Sequence, residues 1–332
     1  MTDLSDIART LMAPGKGILA ADESNQSADE KRLAAFGITT GPEMRRKFRD
    51  LLLAAPDIEQ YLSGVILYEE TLGQKAEDGT SFPELLAAKG ILPGIKVDEG
   101  LDPLEGSADE TITKGLIGLP ERLTKYHGAH GTRFTKWRAA IRIEGDRLPS
   151  AKALRENAKR LSSYACEAQK AGMVPMLEPE VLLEGKHSRL RSRAVLEQTL
   201  TTLFDCLTEQ CADLSGVLLK TSMVLSGKDT GRIDTPEEVA EDTLAALRAT
   251  VPADVAGIVF LSGGQTPDQA TANLAAICAR AKETGAPWPL TFSYARALQE
   301  EALALWKGEE VNVPAAREAF LARLKKVAAA LG

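Results

Sequence analysis

The sequence predicts an α/β fold, a (β/α)8 or TIM barrel that forms a single domain over residues 1–332. Short apolar runs recur along the chain and alternate with amphipathic segments of helical periodicity, as parallel βα units do. Several of these runs are apolar throughout, which is typical of parallel strands that are buried on both faces. A doubly wound sheet is the alternative, but no GxGxxG dinucleotide fingerprint follows the first run.

Eight apolar runs are the predicted strands, because each is short and ends at polar or turn-forming residues. In chain order they are Gly17–Asp22, Gly64–Glu69, Gly94–Asp98, Trp137–Ile143, Met173–Glu178, Gly216–Lys220, Ala256–Ser262 and Leu290–Tyr294.

The segments between the predicted strands carry helix start signals. Ser150 precedes a segment in which apolar residues recur at spacings of three and four, as on one face of a helix. Thr235 and Thr266 each offer a capping hydroxyl, and each is followed by proline at the first helical position and by Glu or Gln at the third. We therefore expect helices to begin directly after these three residues.

The composition argues against several classes of partner. The net charge of −7 is opposite to the basic surface that nucleic-acid phosphates require. No apolar run approaches the ~20 residues of a membrane-spanning helix. The first six residues lack the basic and apolar regions of a signal peptide. These features predict a cytoplasmic protein without a nucleic-acid or membrane partner.

Cysteine and histidine usage predicts neither a disulfide framework nor a metal site. The four cysteines form no CxxC pair, so they are interpreted as reduced thiols. The three histidines are too few and too unevenly spaced for a metal-ligand pattern. Two of them, His127 and His130, are predicted to lie in a glycine-rich loop. No metal and no cofactor are therefore expected.

Lys220 is the most informative residue, because it ends the buried run Gly216–Lys220. A lysine in that position is costly unless its charge is paired or its proton is lost. A lysine amine without its proton is a nucleophile that forms an imine with a carbonyl. A lysine that merely reaches the surface from a strand end is the alternative interpretation.

Charged and small polar residues cluster where the other predicted strands end. In a barrel these ends converge on one face, where active sites lie. Lys136 near Lys220 would favour loss of the Lys220 proton by repulsion, and Glu178 and Asp22 would serve as acid and base. A structural ion network around the mouth of the barrel is the alternative.

The same strand ends offer two places for anionic groups. The backbone N–H groups of the Ser262-Gly263-Gly264 turn would bind a phosphate, with Arg296 as counter-charge. Lys96 and Ser24 could hold a second anionic group across the mouth. This arrangement predicts a substrate that is negatively charged at both ends.

With these residues in place, the chain resembles the class I fructose-bisphosphate aldolases, the Schiff-base family, from its N-terminus to about residue 330. The matching segments are Ala13–Ser24, Gly94–Asp98, Lys136–Arg138, Val174–Glu180, Leu218–Lys220, Phe260–Gln265 and Thr291–Tyr294. The resemblance implies a (β/α)8 barrel and reversible, metal-independent cleavage of fructose 1,6-bisphosphate to dihydroxyacetone phosphate and glyceraldehyde 3-phosphate.

The resemblance also implies residue roles. It implies Lys220 as the imine lysine, with Glu178, Lys136 and Asp22 as proton-transfer groups. The implied substrate-binding residues are Ser262, Gly263 and Arg296 at one phosphate, Ser24, Ser27 and Lys96 at the other, and Arg32, Arg138, Glu180 and Ser293 elsewhere in the site. A homo-oligomer is expected on the same ground.

Three departures from the family pattern bear on these expectations. Asn25 and Gln26 stand where many members have Thr-Gly, within the loop for the second phosphate. Ala295 stands beside Arg296 where many members have glycine, and its N–H can still serve if its φ angle is negative. The sequence ends at Gly332, whereas many animal members continue to a tail tyrosine that assists proton exchange, so we expect another group to perform that step.

Two alternatives of function remain open at this stage. The chain could act on sedoheptulose 1,7-bisphosphate or fructose 1-phosphate, because Asn25 and Gln26 alter the loop for the far end of the sugar. It could also be a non-catalytic scaffold that keeps the fold, which the intact set of Lys220, Glu178, Asp22 and Lys136 argues against.

Overall fold

Eight parallel strands close into a barrel, as the sequence predicts. The structure is a computed structural model, and it describes residues 3–210 and 212–332. The strands in chain order are β1 Gly17–Ala21, β2 Leu62–Leu67, β3 Leu92–Lys96, β4 Leu101–Pro103, β5 Thr111–Thr113, β6 Phe134–Ile141, β7 Val174–Val181, β8 Leu218–Thr221, β9 Gly257–Phe260 and β10 Leu290–Tyr294. Around the barrel the order is β1-β10-β9-β8-β7-β6-β3-β2, while β4 and β5 pair as a separate antiparallel hairpin.

Two strand boundaries differ from the sequence prediction in a way that matters for the site. β6 begins at Phe134 rather than Trp137, and β7 continues past Glu178 to Val181. The two strands pair without interruption from Phe134 opposite Val174 to Ile141 opposite Val181. Charged residues interrupt the apolar runs in the sequence, but they do not interrupt the backbone ladder, because their side chains leave the plane of the sheet.

Helices flank the strands on the outside of the barrel. In chain order they are α1 Leu4–Leu11, α2 Asn25–Ala28, α3 Pro42–Leu53, α4 Glu69–Leu72, α5 Phe82–Ala88, α6 Leu119–His130, α7 Ala151–Lys170, α8 Arg189–Glu209, α9 Pro236–Thr250, α10 Pro267–Glu283, α11 Arg296–Trp306 and α12 Val313–Ala329. A five-residue π-helical turn, Asp29–Leu33, directly follows α2.

The predicted helix starts are confirmed. The hydroxyl of Ser150 accepts a hydrogen bond from the Ala153 N–H at the start of α7. Thr235 forms a reciprocal capping box with Glu238, and Thr266 caps α10 by accepting from the backbone of its third residue. The expected glycine-rich loop around His127 and His130 is wrong, because both residues lie in the last turn of α6. Gly128 is tolerated there within the helix, and Gly131 ends it with a left-handed φ of 63°.

Apolar side chains fill the barrel interior and close its amino-terminal end. Leu11 at the end of α1 and the adjacent Met12 pack among inward-facing strand residues such as Ile18 and Val259. Gly64 and Gly257 make room for this contact, since a Cβ at these positions would lie 2.7 Å from Leu11 and 2.6 Å from Met12. The opposite, carboxyl-terminal end is left to polar residues. Within the described ranges, no helix is both long and apolar enough to cross a membrane.

Candidate active site

A cleft of about 1000 Å³ opens at the carboxyl ends of the barrel strands. Active sites of this fold lie on that face. Every site residue predicted from the sequence lines this cleft, namely Asp22, Ser24, Ser27, Arg32, Lys96, Lys136, Arg138, Glu178, Glu180, Lys220, Ser262, Gly263, Ser293 and Arg296. The barrel thus brings together residues from seven of its strands or the loops that follow them.

The floor of the cleft holds a chain of alternating charges. The Nζ atom of Lys220 lies 3.0 Å from Oε1 of Glu178. The other oxygen of Glu178 lies 3.1 Å from Nζ of Lys136, which lies 2.6 Å from Oδ2 of Asp22. All four side chains are at most 11% exposed. Lys136 therefore lies near Lys220, as the sequence predicts, and both ammonium groups contact the carboxylate of Glu178.

Burial and charge pairing set the ionisation of these groups. Burial acts to raise the pKa of Asp22, but the charges of Lys136 and Lys220 outweigh it and lower the pKa to about 2. Burial likewise opposes ionisation of Glu178, yet the same two lysines lower its pKa overall. For Lys136, burial acts to lower the pKa, and the carboxylates of Asp22 and Glu178 outweigh it and raise the pKa well above its ordinary value. Both carboxylates are therefore ionised at neutral pH.

Arg138 and Glu180 also line the cleft, close to the four charged residues of its floor. Nε of Arg138 donates a hydrogen bond to Oε2 of Glu180, and the backbone N–H of Arg138 donates to Asp98 at 3.2 Å. Asp98 also accepts a contact of 2.7 Å from Nζ of Lys96, whose ammonium lies 5.9 Å from the centre of the Tyr68 ring. This network orients two cationic side chains toward the cleft.

The strand order separates the two candidate anion sites. In the closed ring, β9 lies four strands from β3 and two strands from β1. Lys96 therefore lies across the mouth from the Ser262-Gly263-Gly264 turn, and Ser24 and Ser27, which follow β1, lie a quarter of the ring away from it. β8, which carries Lys220, is the immediate neighbour of β9. A bound molecule with two anionic ends can therefore span the cleft, with one end adjacent to Lys220.

The turn after β9 has the conformation that exposes backbone N–H groups. Gly263 and Gly264 have φ angles of 52° and 89°, which glycine adopts without the penalty of a side chain. Arg296 begins α11, and a Cβ on Gly264 would lie 3.6 Å from its Nη2 atom. The φ angle of Ala295 is −102°, so the alanine that replaces the more common glycine is accommodated without a left-handed backbone.

The segment after β1 forms the other candidate anion site. Ser24 caps α2, and its hydroxyl accepts from the backbone N–H of Ser27 at 3.3 Å. Arg32 follows in the π-helical turn, where its Nε lies 2.8 Å from Glu23. The other carboxylate oxygen of Glu23, Oε2, lies 3.0 Å from Nη1 of Arg49.

Several cleft residues escape the sequence analysis. Tyr68, Lys31, Arg122 and Tyr126 also line the cleft, as does Gln26, which the sequence analysis placed in the loop for the second phosphate. A signal existed for Tyr68, which directly follows β2 and therefore stands at a strand end like the predicted residues. Arg122 and Tyr126 come from α6, and helix residues give no such signal. Ser293 was predicted, and its buried hydroxyl has no hydrogen-bond partner among the described residues.

Comparisons with known proteins identify the family. The family model described as fructose-bisphosphate aldolase class-I matches residues 3–332. The chain belongs to the class I fructose-bisphosphate aldolase family. A probable fructose-bisphosphate aldolase class 1 from Xanthomonas axonopodis pv. citri is 47% identical over 97% of this chain and 98% of its own length. The cytosolic fructose-bisphosphate aldolase 6 of Arabidopsis thaliana is 48% identical over 94% of this chain and 86% of its own.

The solved structures agree with this class I aldolase assignment. The aldolase of Plasmodium falciparum, crystallised with TRAP and a small-molecule inhibitor, superimposes with a TM-score of 0.95 and is 40% identical in sequence. The match covers 99% of this chain and 93% of the other. Cleavage of fructose 1,6-bisphosphate in glycolysis is the activity of this family. The sequence-based prediction of the fold, the family and this cleavage is therefore confirmed.

Proposed function

We propose that this aldolase cleaves fructose 1,6-bisphosphate through an imine on Lys220, with Glu178, Asp22 and Lys136 as proton-transfer groups. The observation that carries the proposal is the buried contact of 3.0 Å between Nζ of Lys220 and Glu178, within a cleft that is also lined by Lys96 and Arg296. A structural ion pair would not require a cleft of about 1000 Å³ beside it.

The reaction begins with loss of a proton from Lys220. Glu178 is ionised and within hydrogen-bond reach, so it can accept that proton. The neutral amine then attacks the C2 carbonyl of the open-chain sugar and forms a carbinolamine. Glu178 returns its proton to the C2 hydroxyl, which leaves as water and yields the protonated imine.

Carbon–carbon cleavage follows from the electron demand of that imine. A base removes the proton of the C4 hydroxyl, the C3–C4 bond breaks, and its electron pair moves into the imine to form an enamine. Asp22 is our candidate for this base. With a pKa of about 2 it is a weak base in the free protein, but the negative charge of a bound bisphosphate raises the pKa of nearby carboxylates.

The second half-reaction returns the enzyme to its starting state. After glyceraldehyde 3-phosphate leaves, the enamine takes a proton at C3, and water hydrolyses the resulting imine to release dihydroxyacetone phosphate and free Lys220. We propose that Glu178, directly or through water, supplies the proton at C3. Lys136 keeps Asp22 and Glu178 ionised through its contacts of 2.6 Å and 3.1 Å.

Substrate orientation follows from the order of strands. C2 carries the imine, so the C1 phosphate must lie near Lys220, and β9 is the neighbouring strand. We therefore propose Ser262, Gly263 and Arg296 for the C1 phosphate. The proposed C6 phosphate site is Ser24, Ser27 and Lys96, and the remaining proposed contacts to the sugar are Arg32, Arg138, Glu180 and Ser293.

Borohydride trapping tests the assignment of the imine lysine. Reduction in the presence of fructose 1,6-bisphosphate is expected to label Lys220 covalently, as located by peptide mass analysis. Lys220→Arg is expected to remove both labelling and turnover, because a guanidinium stays protonated. Lys228→Arg, outside the cleft, is the control and keeps both. Turnover of Lys220→Arg within about tenfold of the wild type, or a label on another lysine, contradicts the proposal.

Further proposals concern the form of the protein. We propose that residues 1–332 act as one domain, that the protein is cytosolic like the Arabidopsis relative named so, and that it is a homo-oligomer. Limited proteolysis, cell fractionation and light scattering test these three points respectively. Steady-state kinetics on fructose 1,6-bisphosphate, sedoheptulose 1,7-bisphosphate and fructose 1-phosphate determine the substrate preference.

A further inference from the structure

Two buried arginines of α3 hold the segment Glu23–Asp29 at both of its ends. Arg45 and Arg49 are four residues apart and thus lie on one face of the helix. Their side chains are only 9% and 3% exposed. Arg49 lies 3.0 Å from Glu23 at the start of the segment, and Arg45 lies 2.6 Å from Asp29 at its end.

Arg45 also makes a two-pronged contact with Glu70 of α4. Its Nε and Nη2 atoms donate to the two carboxylate oxygens of Glu70 at 2.8 Å and 2.6 Å. The guanidinium thus joins α4, which follows β2, to the π-helical turn that begins at Asp29. Forked contacts of this kind fix an orientation as well as a distance.

Asn25 connects this buried pair to the proposed phosphate site. Its Nδ2 atom donates a hydrogen bond of 3.1 Å to Oε1 of Glu70, the same oxygen that accepts from Arg45. On either side of it, Ser24 and Gln26 line the cleft. The side chain of Asn25 therefore contacts Glu70 of α4 while its two neighbours line the cleft, so the contacts of Glu70 bear on the position of the loop.

We infer that Asn25, Glu70 and Arg45 are positioning residues that determine how strongly the site discriminates in favour of a sugar with a phosphate at its far end. This inference rests on the proposed function, in which Ser24 and Ser27 bind that phosphate. Ser24 caps and Ser27 lies within a helical turn of four residues, which has little stability of its own. The contacts to Glu70 and Arg45 order the turn before substrate arrives, so less binding energy is spent on ordering it.

The inference predicts a selective loss, and two substrates separate it from a general structural role. Fructose 1,6-bisphosphate carries the far phosphate and fructose 1-phosphate lacks it. Asn25→Ala removes one hydrogen bond to a charged group, so we expect KM for the bisphosphate to rise roughly tenfold. We expect kcat and KM for fructose 1-phosphate to stay within about twofold of the wild type, because that substrate does not use the loop.

A second variant and a matched control complete the experiment. Arg45→Lys keeps the charge but cannot bind Glu70 with two prongs while also reaching Asp29, and we expect a loss in the same direction. Arg46→Lys is the control, since the neighbouring Arg46 pairs with the exposed Glu43 of its own helix. Circular dichroism and thermal melting establish whether each variant folds. If Arg45→Lys does not fold, Asn25→Ala alone decides.

The outcomes are distinct. A selective rise in KM for the bisphosphate supports the inference. Equal losses on both substrates would assign the network to general stability, and unchanged kinetics of Asn25→Ala on both would remove Asn25 from any positioning role. Either result overturns the inference while Lys220 remains trappable by borohydride. Failure of the wild type to form a trappable imine on Lys220 would instead overturn the proposed function.

Discussion

Replacing Lys136 with methionine is expected to destabilise the protein most strongly at neutral pH. Methionine roughly preserves the length of the side chain and removes its charge. The Nζ atom of Lys136 lies 2.6 Å from Asp22 and 3.1 Å from Glu178, and these carboxylates are 11% and 5% exposed. The variant therefore leaves two buried carboxylates, of which Glu178 keeps its contact with Lys220 while Asp22 loses its 2.6 Å contact with Lys136.

The pKa of Asp22 gives the size of the effect. It falls from an ordinary 3.8 to about 2, and a lowering of this size corresponds to about 2 kcal/mol of stabilisation at ~1.36 kcal/mol per pH unit. Part of that stabilisation comes from the charge of Lys220. The second contact, with Glu178, adds to the loss, and breaking a buried ion pair usually costs about 3–5 kcal/mol. We expect the free energy of unfolding to fall by about 2–4 kcal/mol at neutral pH.

The destabilisation caused by Lys136→Met should be smaller at acidic pH. A carboxylate whose pKa is lowered on folding contributes stability above its unfolded pKa of ~3.9, and that contribution disappears as pH falls toward the folded value of about 2. Without Lys136, burial raises the pKa of Asp22 and Glu178, so both take up protons at a higher pH than in the wild type. As they become neutral, the variant no longer carries buried unpaired charge and regains part of the lost stability.

Urea unfolding at about pH 7.5 and about pH 4.5, followed by tryptophan fluorescence at one protein concentration, measures both effects. Lys114→Met is the control, because Lys114 pairs with Asp102 at 3.0 Å where both side chains are about half exposed. Exposed pairs are worth about 0–1 kcal/mol. A loss below about 1 kcal/mol for Lys136→Met at the higher pH, or an equal loss at both pH values, would refute the reasoning.

Three further predictions concern catalysis. Glu178→Gln keeps the shape but cannot carry a proton, so turnover should fall by about 10²–10⁴; an unchanged rate and pH profile would assign Glu178 a structural role. Activity should survive dialysis against a chelator, because the imine on Lys220 accepts the electron pair, and loss that a divalent ion restores would contradict this. Ala295→Gly should keep kcat/KM within about twofold, since the φ of Ala295 is −102°; a gain above about tenfold would show that the alanine restricts the phosphate site.

The barrel strands could be predicted because each is an apolar run with a defined end, and burial on both faces demands that composition. The β4–β5 hairpin escaped prediction for the opposite reason. Its strands have three residues each, Leu101–Pro103 is exposed, and Thr111–Thr113 is only partly buried. Such short strands need little apolar surface, so their sequence resembles that of a loop.

The arginines of α3 show that the composition of a helix likewise does not determine which of its side chains are buried. Arg45, Arg46 and Arg49 are the same residue type, and three arginines in one helix are typical of a face exposed to solvent. The structure buries Arg45 and Arg49 against Glu70 and Glu23, while Arg46 pairs with a partner on its own helix. Arg45 and Arg49 lie on the same face of the helix as the buried Phe48 and Leu52. That shared face was the available signal that these two arginines are buried.

Sequence alone placed Lys220 and the Ser262-Gly263-Gly264 turn near strand ends, because the change from apolar to polar residues is a local property of the chain. Lys220 after Leu218 and Leu219 is such a property, as is the glycine pair that follows Ser262. The sequence did not show that β6 and β7 continue past Lys136 and Glu178. Only the tertiary structure decided that Glu178 lies between two lysines, at 3.0 Å and 3.1 Å, and that Lys136 also contacts Asp22. Those distances follow from the order and closure of the barrel strands, which pair residues far apart along the chain and leave no trace in local spacing.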